Sequence, residues 1–111
     1  VIRAEVMVQA ADLMRGMMFR ESLAPDRGML FVHGKPGRYP YWMYQCLIPL
    51  DIIWMDASKR IVEISAETPP CKGDESSCPT YGGNHDAQYV LELAGGMAKK
   101  YGLQPGAVIA F

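Results

Sequence analysis

Apolar and polar positions in this chain alternate over short stretches, and turn residues break the pattern every few positions. Val1 to Val8 alternates in part and is β-branched at several positions, which predicts a first strand. The period then changes. Leu13, Met14, Met17 and Met18 fall on one face of a predicted helix over Ala10–Met17. Gly28 to His33 is a short apolar run bounded by turn residues, which suits a buried strand, and Gly34-Lys35-Pro36-Gly37 after it predicts a turn. Tyr39 to Tyr44 follows as an aromatic return strand. Leu50 to Asp56 is the clearest strand of the chain, and Ala57-Ser58-Lys59 turns it into Arg60 to Ser65, a tight hairpin.

Residues 66–86 hold three of the eight prolines and a glycine pair, and they predict a long connection of the kind that is usually functional. Gln88 to Leu93 alternates again. Gly95 to Tyr101 predicts a short helix that Gly102 can end, and Gln104-Pro105-Gly106 predicts a turn into a last strand, Ala107–Phe111. The expectation is a mostly β (α+β) chain, a small closed or partly open barrel of about seven short strands with two short helices. One domain over residues 1–111 accommodates it, since a chain of this length can bury a real core.

Charge narrows the partners. A formal net charge of −1 supplies no global field for nucleic acid, so no nucleic-acid partner is expected. No stretch approaches the apolar length of a membrane span. The sequence opens at Val1, which fits either a mature form with its export signal removed or a chain trimmed for expression.

Three cysteines add a compartment argument. Cys71 and Cys78 lie in one polar stretch, and joining them would remove denatured-state entropy worth roughly 2–3 kcal/mol. That disulfide favours an oxidising, extracytoplasmic site. The rival reading, a zinc site, lacks the close ligand spacing and a second ligand pair. Cys46 sits among apolar residues and reads as a buried, inert thiol.

Several segments, in this order, resemble a known family: Gly16-Met17-Met18-Phe19-Arg20, Gly28-Met29-Leu30-Phe31-Val32, Tyr41-Trp42-Met43, Ile48-Pro49-Leu50-Asp51-Ile52-Ile53, Tyr89-Val90-Leu91-Glu92-Leu93 and Gly102-Leu103-Gln104-Pro105-Gly106. Together they are similar to the domain of unknown function 192 family, small bacterial and archaeal proteins often made with an export signal. The resemblance implies a compact β-rich domain in the cell envelope and brings no catalytic residues with it. After Trp42-Met43 the family usually shows a lysine, an asparagine and a threonine, where this chain has Tyr44, Gln45 and Cys46. The last strand–helix–turn–strand unit also resembles the repeating unit of cradle-loop barrels, a likeness of fold alone.

The candidate chemistry starts with Asp51, a charge inside an apolar run that needs a partner. It can tie down backbone amides, pair with Arg20, or act as an acid or base. Arg20 can fork onto a carboxylate, either that of Asp51 or that of a ligand. Tyr39, Tyr41, Trp42 and Tyr44 form an aromatic cluster that can stack on a ligand or partner, although part of any strand faces the core. Methionines with Cys46 or His33 could bind Cu(I), but methionine is more often a core filler. His33 and His85 stand alone, and no nucleotide, zinc-protease or serine-hydrolase motif is present.

The function expected is therefore a non-enzymatic, extracytoplasmic binding module for an unknown small ligand or protein, without a cofactor. Its contact surface would be Tyr39–Tyr44, Asp51 and the 66–86 loop. The alternatives are a small enzyme acting on an envelope or carbohydrate-like substrate through Asp51 and Arg20, and Cu(I) handling.

Overall fold

The computed structural model describes residues 2–7 and 16–111. The strands are β1 (Arg3–Met7), β2 (Arg27–Gly37), β3 (Tyr41–Trp42), β4 (Leu50–Met55), β5 (Ile61–Thr68), β6 (Thr80–Tyr81) and β7 (Ala87–Ala94). One helix, α1 (Met97–Lys100), and a 3-10 turn at Glu75–Ser77 complete the described elements. Five strands form one sheet in the order β1-β2-β7-β4-β5, while β3 and β6 make a separate ribbon. Among the described strands β1 pairs in parallel with β2, and the other ladders are antiparallel.

The mostly β class holds, but the barrel is corrected to an open sheet. Closure would need β1 to pair with β5, and these are the two edges. The start of β5 bonds the C-terminal segment instead: Ile61 N donates to Ala107 O at 2.8 Å and Gly106 N to Ile61 O at 2.8 Å. That segment carries one bridge, Val108 to Arg60, and is not the expected strand. The expected turn at 34–37 is a second correction. These residues extend β2, and the ladder runs from Val32–Tyr89 to Gly37–Ala87 with an irregularity between. Residues skipped by the ladder need no amide donor, so Pro36 is tolerated there. Of the expected Ala10–Met17 helix, residues 10–15 lie outside the described residues, and Gly16 and Met17 form a turn.

Period-two alternation sends side chains to two covered faces. Met29, Phe31, Leu50, Ile52, Trp54 and Val90 pack with Met17, Met43 and Cys46 on one side. Leu30, Ile53, Met55, Leu91 and Leu93 pack with Ala98 of α1 on the other. All six residues of β4 are buried as a result.

Asp51 connects three of these parts. Its Oδ1 accepts from Glu67 N at 2.7 Å and Gly96 N at 3.0 Å, and its Oδ2 accepts from Ala98 N at 2.7 Å. Glu67 has φ 49° and lies where the β4–β5 register shifts, so the carboxylate fastens a bulge. It also caps α1 from a neighbouring strand, because Gly96 at the helix start brings no side chain to do so.

Candidate functional site

On the first face of the sheet, the β3–β6 ribbon leaves a pocket of about 370 Å³ between itself and strands β2 and β7. Tyr39, Tyr41, Trp42 and Tyr44 line it, with Phe31, His33, Met17, Met18, Cys46, Arg38 and Glu92. The rings are locked to one another. His33 and Tyr39 stack at 3.7 Å between centroids, Tyr41 meets Phe31 edge-on at 5.3 Å, and Trp42 tilts against Tyr44 at 5.0 Å. Tyr41 Oη lies 2.8 Å from His33 Nε2, and Tyr39 O accepts from Trp54 Nε1 at 2.8 Å.

The 66–86 loop holds this wall in place. Its β6 pairs Tyr81 with Tyr41 and Thr80 with Trp42, and Cys71 bridges to Tyr44. Cys71 and Cys78 are joined as a disulfide, so the polar loop is closed next to the strand it supports. Cys46 is free and buried.

Sequence reasoning missed the pocket's principal polar group, Glu92. It lies on β7 between Met29 of β2 and Ile52 of β4, so its cross-strand neighbours on both sides are apolar. It is 4% exposed, and its Oε1 is buried without a hydrogen-bond partner among the described residues. Burial pushes its carboxyl up to about 8, so the proton stays on at neutral pH. Its negative form would in turn burden its neighbours. Burial and then Glu92 push the Cys46 thiol up to about 12, and the same two causes, with Tyr39, raise the Tyr41 phenol. Burial lowers His33 below its ordinary value.

The remaining expected site residues lie elsewhere. Asp51 points to the opposite face of the sheet and is fully buried against backbone amides. Arg20 does not pair with it: both guanidinium amines donate to Glu5, at 2.7 and 3.1 Å. The two therefore do not share a cleft. Two other carboxylates of the β4–β5 hairpin are also engaged: Glu63 accepts from Asn84, and Asp56 from the backbone of the turn. Met17, Met18, Cys46 and His33 do share the pocket. Among the described residues, no group of three or more His, Cys, Asp or Glu side chains is placed to hold a metal ion.

Fold and site together define a small open-sheet protein with an aromatic pocket over a buried carboxylic acid. The chain belongs to the DUF192 family, described as an uncharacterized ACR, whose family model matches residues 1–111. A protein of unknown function from Novosphingobium aromaticivorans DSM 12444 is similar at 30% identity and TM-score 0.90, over 99% of this chain and 75% of that one. A Sinorhizobium meliloti 1021 protein with a provisional description as a transcription regulator is similar at 31% identity and TM-score 0.84, over 93% of this chain and 76% of that one. No curated protein matches the chain.

Proposed function

We propose that this protein is a non-enzymatic, extracytoplasmic module that binds a small, largely apolar ligand in the aromatic pocket, with Glu92 as the polar anchor. The observation that carries the reading is the Glu92 carboxyl, buried without a partner at Oε1 among the described residues, in the wall of a concave, ring-lined space. An unmatched buried acceptor costs on the order of 1–3 kcal/mol, and a ligand that bonds it recovers that energy. A pocket of about 370 Å³ with many apolar walls and few polar groups is the usual form of a small-ligand site.

The location is supported by the disulfide, which persists in oxidising compartments. Among the described residues no helix is long and apolar enough to cross a membrane. The enzymatic alternative loses its machinery, because the Asp51 oxygens are engaged by backbone amides and Arg20 serves Glu5.

A fragment screen by NMR, with Trp42→Ala as the control, tests the reading. Hits should shift the resonances of Tyr39, Trp42 and Glu92, and their affinity should fall in the variant. A screen whose hits all map away from these residues would refute it.

A further inference from the structure

We infer that the pocket selects an organic cation, a ring of about benzylamine size carrying one ammonium group, whose charge pairs with Glu92 while its apolar part lies on the Tyr and Trp rings. The inference rests on the reading of this pocket as a ligand site and adds the ligand's charge.

The electrostatics of the wall carry it. Glu92 is walled by Met29 and Ile52 from the neighbouring strands and by Gly16 and Met17 from the facing segment, none of which offers a positive charge. Among the described residues, the titratable groups around it are Tyr41 and Tyr39 from the ribbon side, Cys46 from the loop, His33 from β2 and Arg38 at the rim. Arg38 is the cation among them, and it is turned outward: its side chain is 67% exposed and lies 3.6 Å from Asp86. Ionised Glu92 therefore hinders ionisation of Cys46 and Tyr41, and among the described residues no Lys or Arg faces the inner wall to relieve it.

Three ligand charges can be weighed against that wall. An anion would face the negative ring faces and a carboxyl that cannot ionise beside it. A neutral ligand could accept the Glu92 proton in a hydrogen bond but would gain nothing from the ring quadrupoles. A cation gains on both counts: aromatic rings attract it, and an ammonium bonded to a carboxylate as buried as that of Glu92 is held strongly. The protons balance simply. The Glu92 O–H bond breaks, its proton leaves to solvent, and the carboxylate formed pairs with the ammonium already present on the ligand.

Isothermal titration of the whole chain at pH 7 with benzylamine, benzyl alcohol and benzoate tests this. Benzylamine should bind about tenfold or more tightly than benzyl alcohol. Its measured enthalpy should vary with the ionisation enthalpy of the buffer, reporting release of most of one proton. Glu92→Gln should lose the preference for the amine while retaining benzyl alcohol, and the wild-type contrast stands if that variant does not fold. Equal or tighter binding of the alcohol or benzoate, or an enthalpy independent of buffer, overturns the cation while leaving the pocket reading intact. Binding by none of the three overturns it as well, and only a fragment screen empty at this pocket removes the site itself.

Discussion

Asp51 and Ala98 are 47 residues apart in the chain, yet the Asp51 carboxylate accepts the Ala98 amide at 2.7 Å with no surface left to solvent. That bond, with those from Glu67 and Gly96, makes one side chain the junction of β4, the β5 bulge and α1. Asp51→Ala would strand three donors, two of them in a part-buried setting. The expected loss of unfolding free energy is about 3–5 kcal/mol, measured by urea denaturation. Asp51→Asn keeps one acceptor oxygen but turns an amide donor on the remaining N–H, and should lose less. A loss below about 1 kcal/mol for Asp51→Ala would contradict this assignment.

The bidentate Arg20–Glu5 pair is exposed, at 38% and 50% of the two side chains. Solvent screens such pairs, so a double-mutant cycle with Arg20→Ala and Glu5→Ala should give a coupling under about 1 kcal/mol. The cycle of Arg20→Ala with Asp51→Ala should give none, because the two residues share no contact. A substantial coupling in the second cycle would restore the pairing that the sequence suggested.

Thiol chemistry should separate the three cysteines. Cys46 is buried and its thiol is pushed up to about 12, so it should resist an aromatic disulfide reagent in the folded protein. Denaturation alone should expose one reactive thiol, and denaturation after reduction should expose three. Reduction of Cys71–Cys78 should cost about 2–3 kcal/mol of stability, read from the shift in denaturant midpoint. Rapid labelling of the native, oxidised protein would contradict the placement of Cys46.

The sequence made one half of the site legible and hid the other half. The Tyr39–Tyr44 cluster follows from the aromatic run, and the Cys71–Cys78 link from the polar loop between the two residues. Glu92 was passed over because alternation in Tyr89-Val90-Leu91-Glu92-Leu93 gives a carboxylate an outward face by default. β7 lies between β2 and β4 with both faces covered, so no such face exists. The signal was still present. A charge inside an apolar run had already singled out Asp51, and the same argument applies to Glu92. What separates the two residues is invisible in one dimension: at Asp51 a bulge and a helix start supply amides, and at Glu92 a pocket supplies none. The open sheet was hidden for a related reason. Edge pairing is decided by where the 106–109 segment docks, and strand periodicity does not record that.

Glu92 also sets a pH dependence with a definite sign. Its carboxyl moves from an ordinary 4.5 in the unfolded chain to about 8 in the folded protein. Below 4.5 both states hold the proton, and the group has no effect on stability. Between 4.5 and about 8 the unfolded chain releases its proton while the folded protein keeps it, so stability falls as pH rises through that window. Above it the loss is complete, on the order of a few kcal/mol. Glu92→Gln keeps the shape of the protonated acid and cannot ionise. It should therefore unfold at a higher temperature than the wild type at pH 8, match it near pH 4.5, and flatten the slope between. Thermal melts of both proteins from pH 4.5 to 8.5 measure this directly. Parallel curves would mean that Glu92 ionises at its ordinary value, and that water or a counter-charge reaches the base of the pocket.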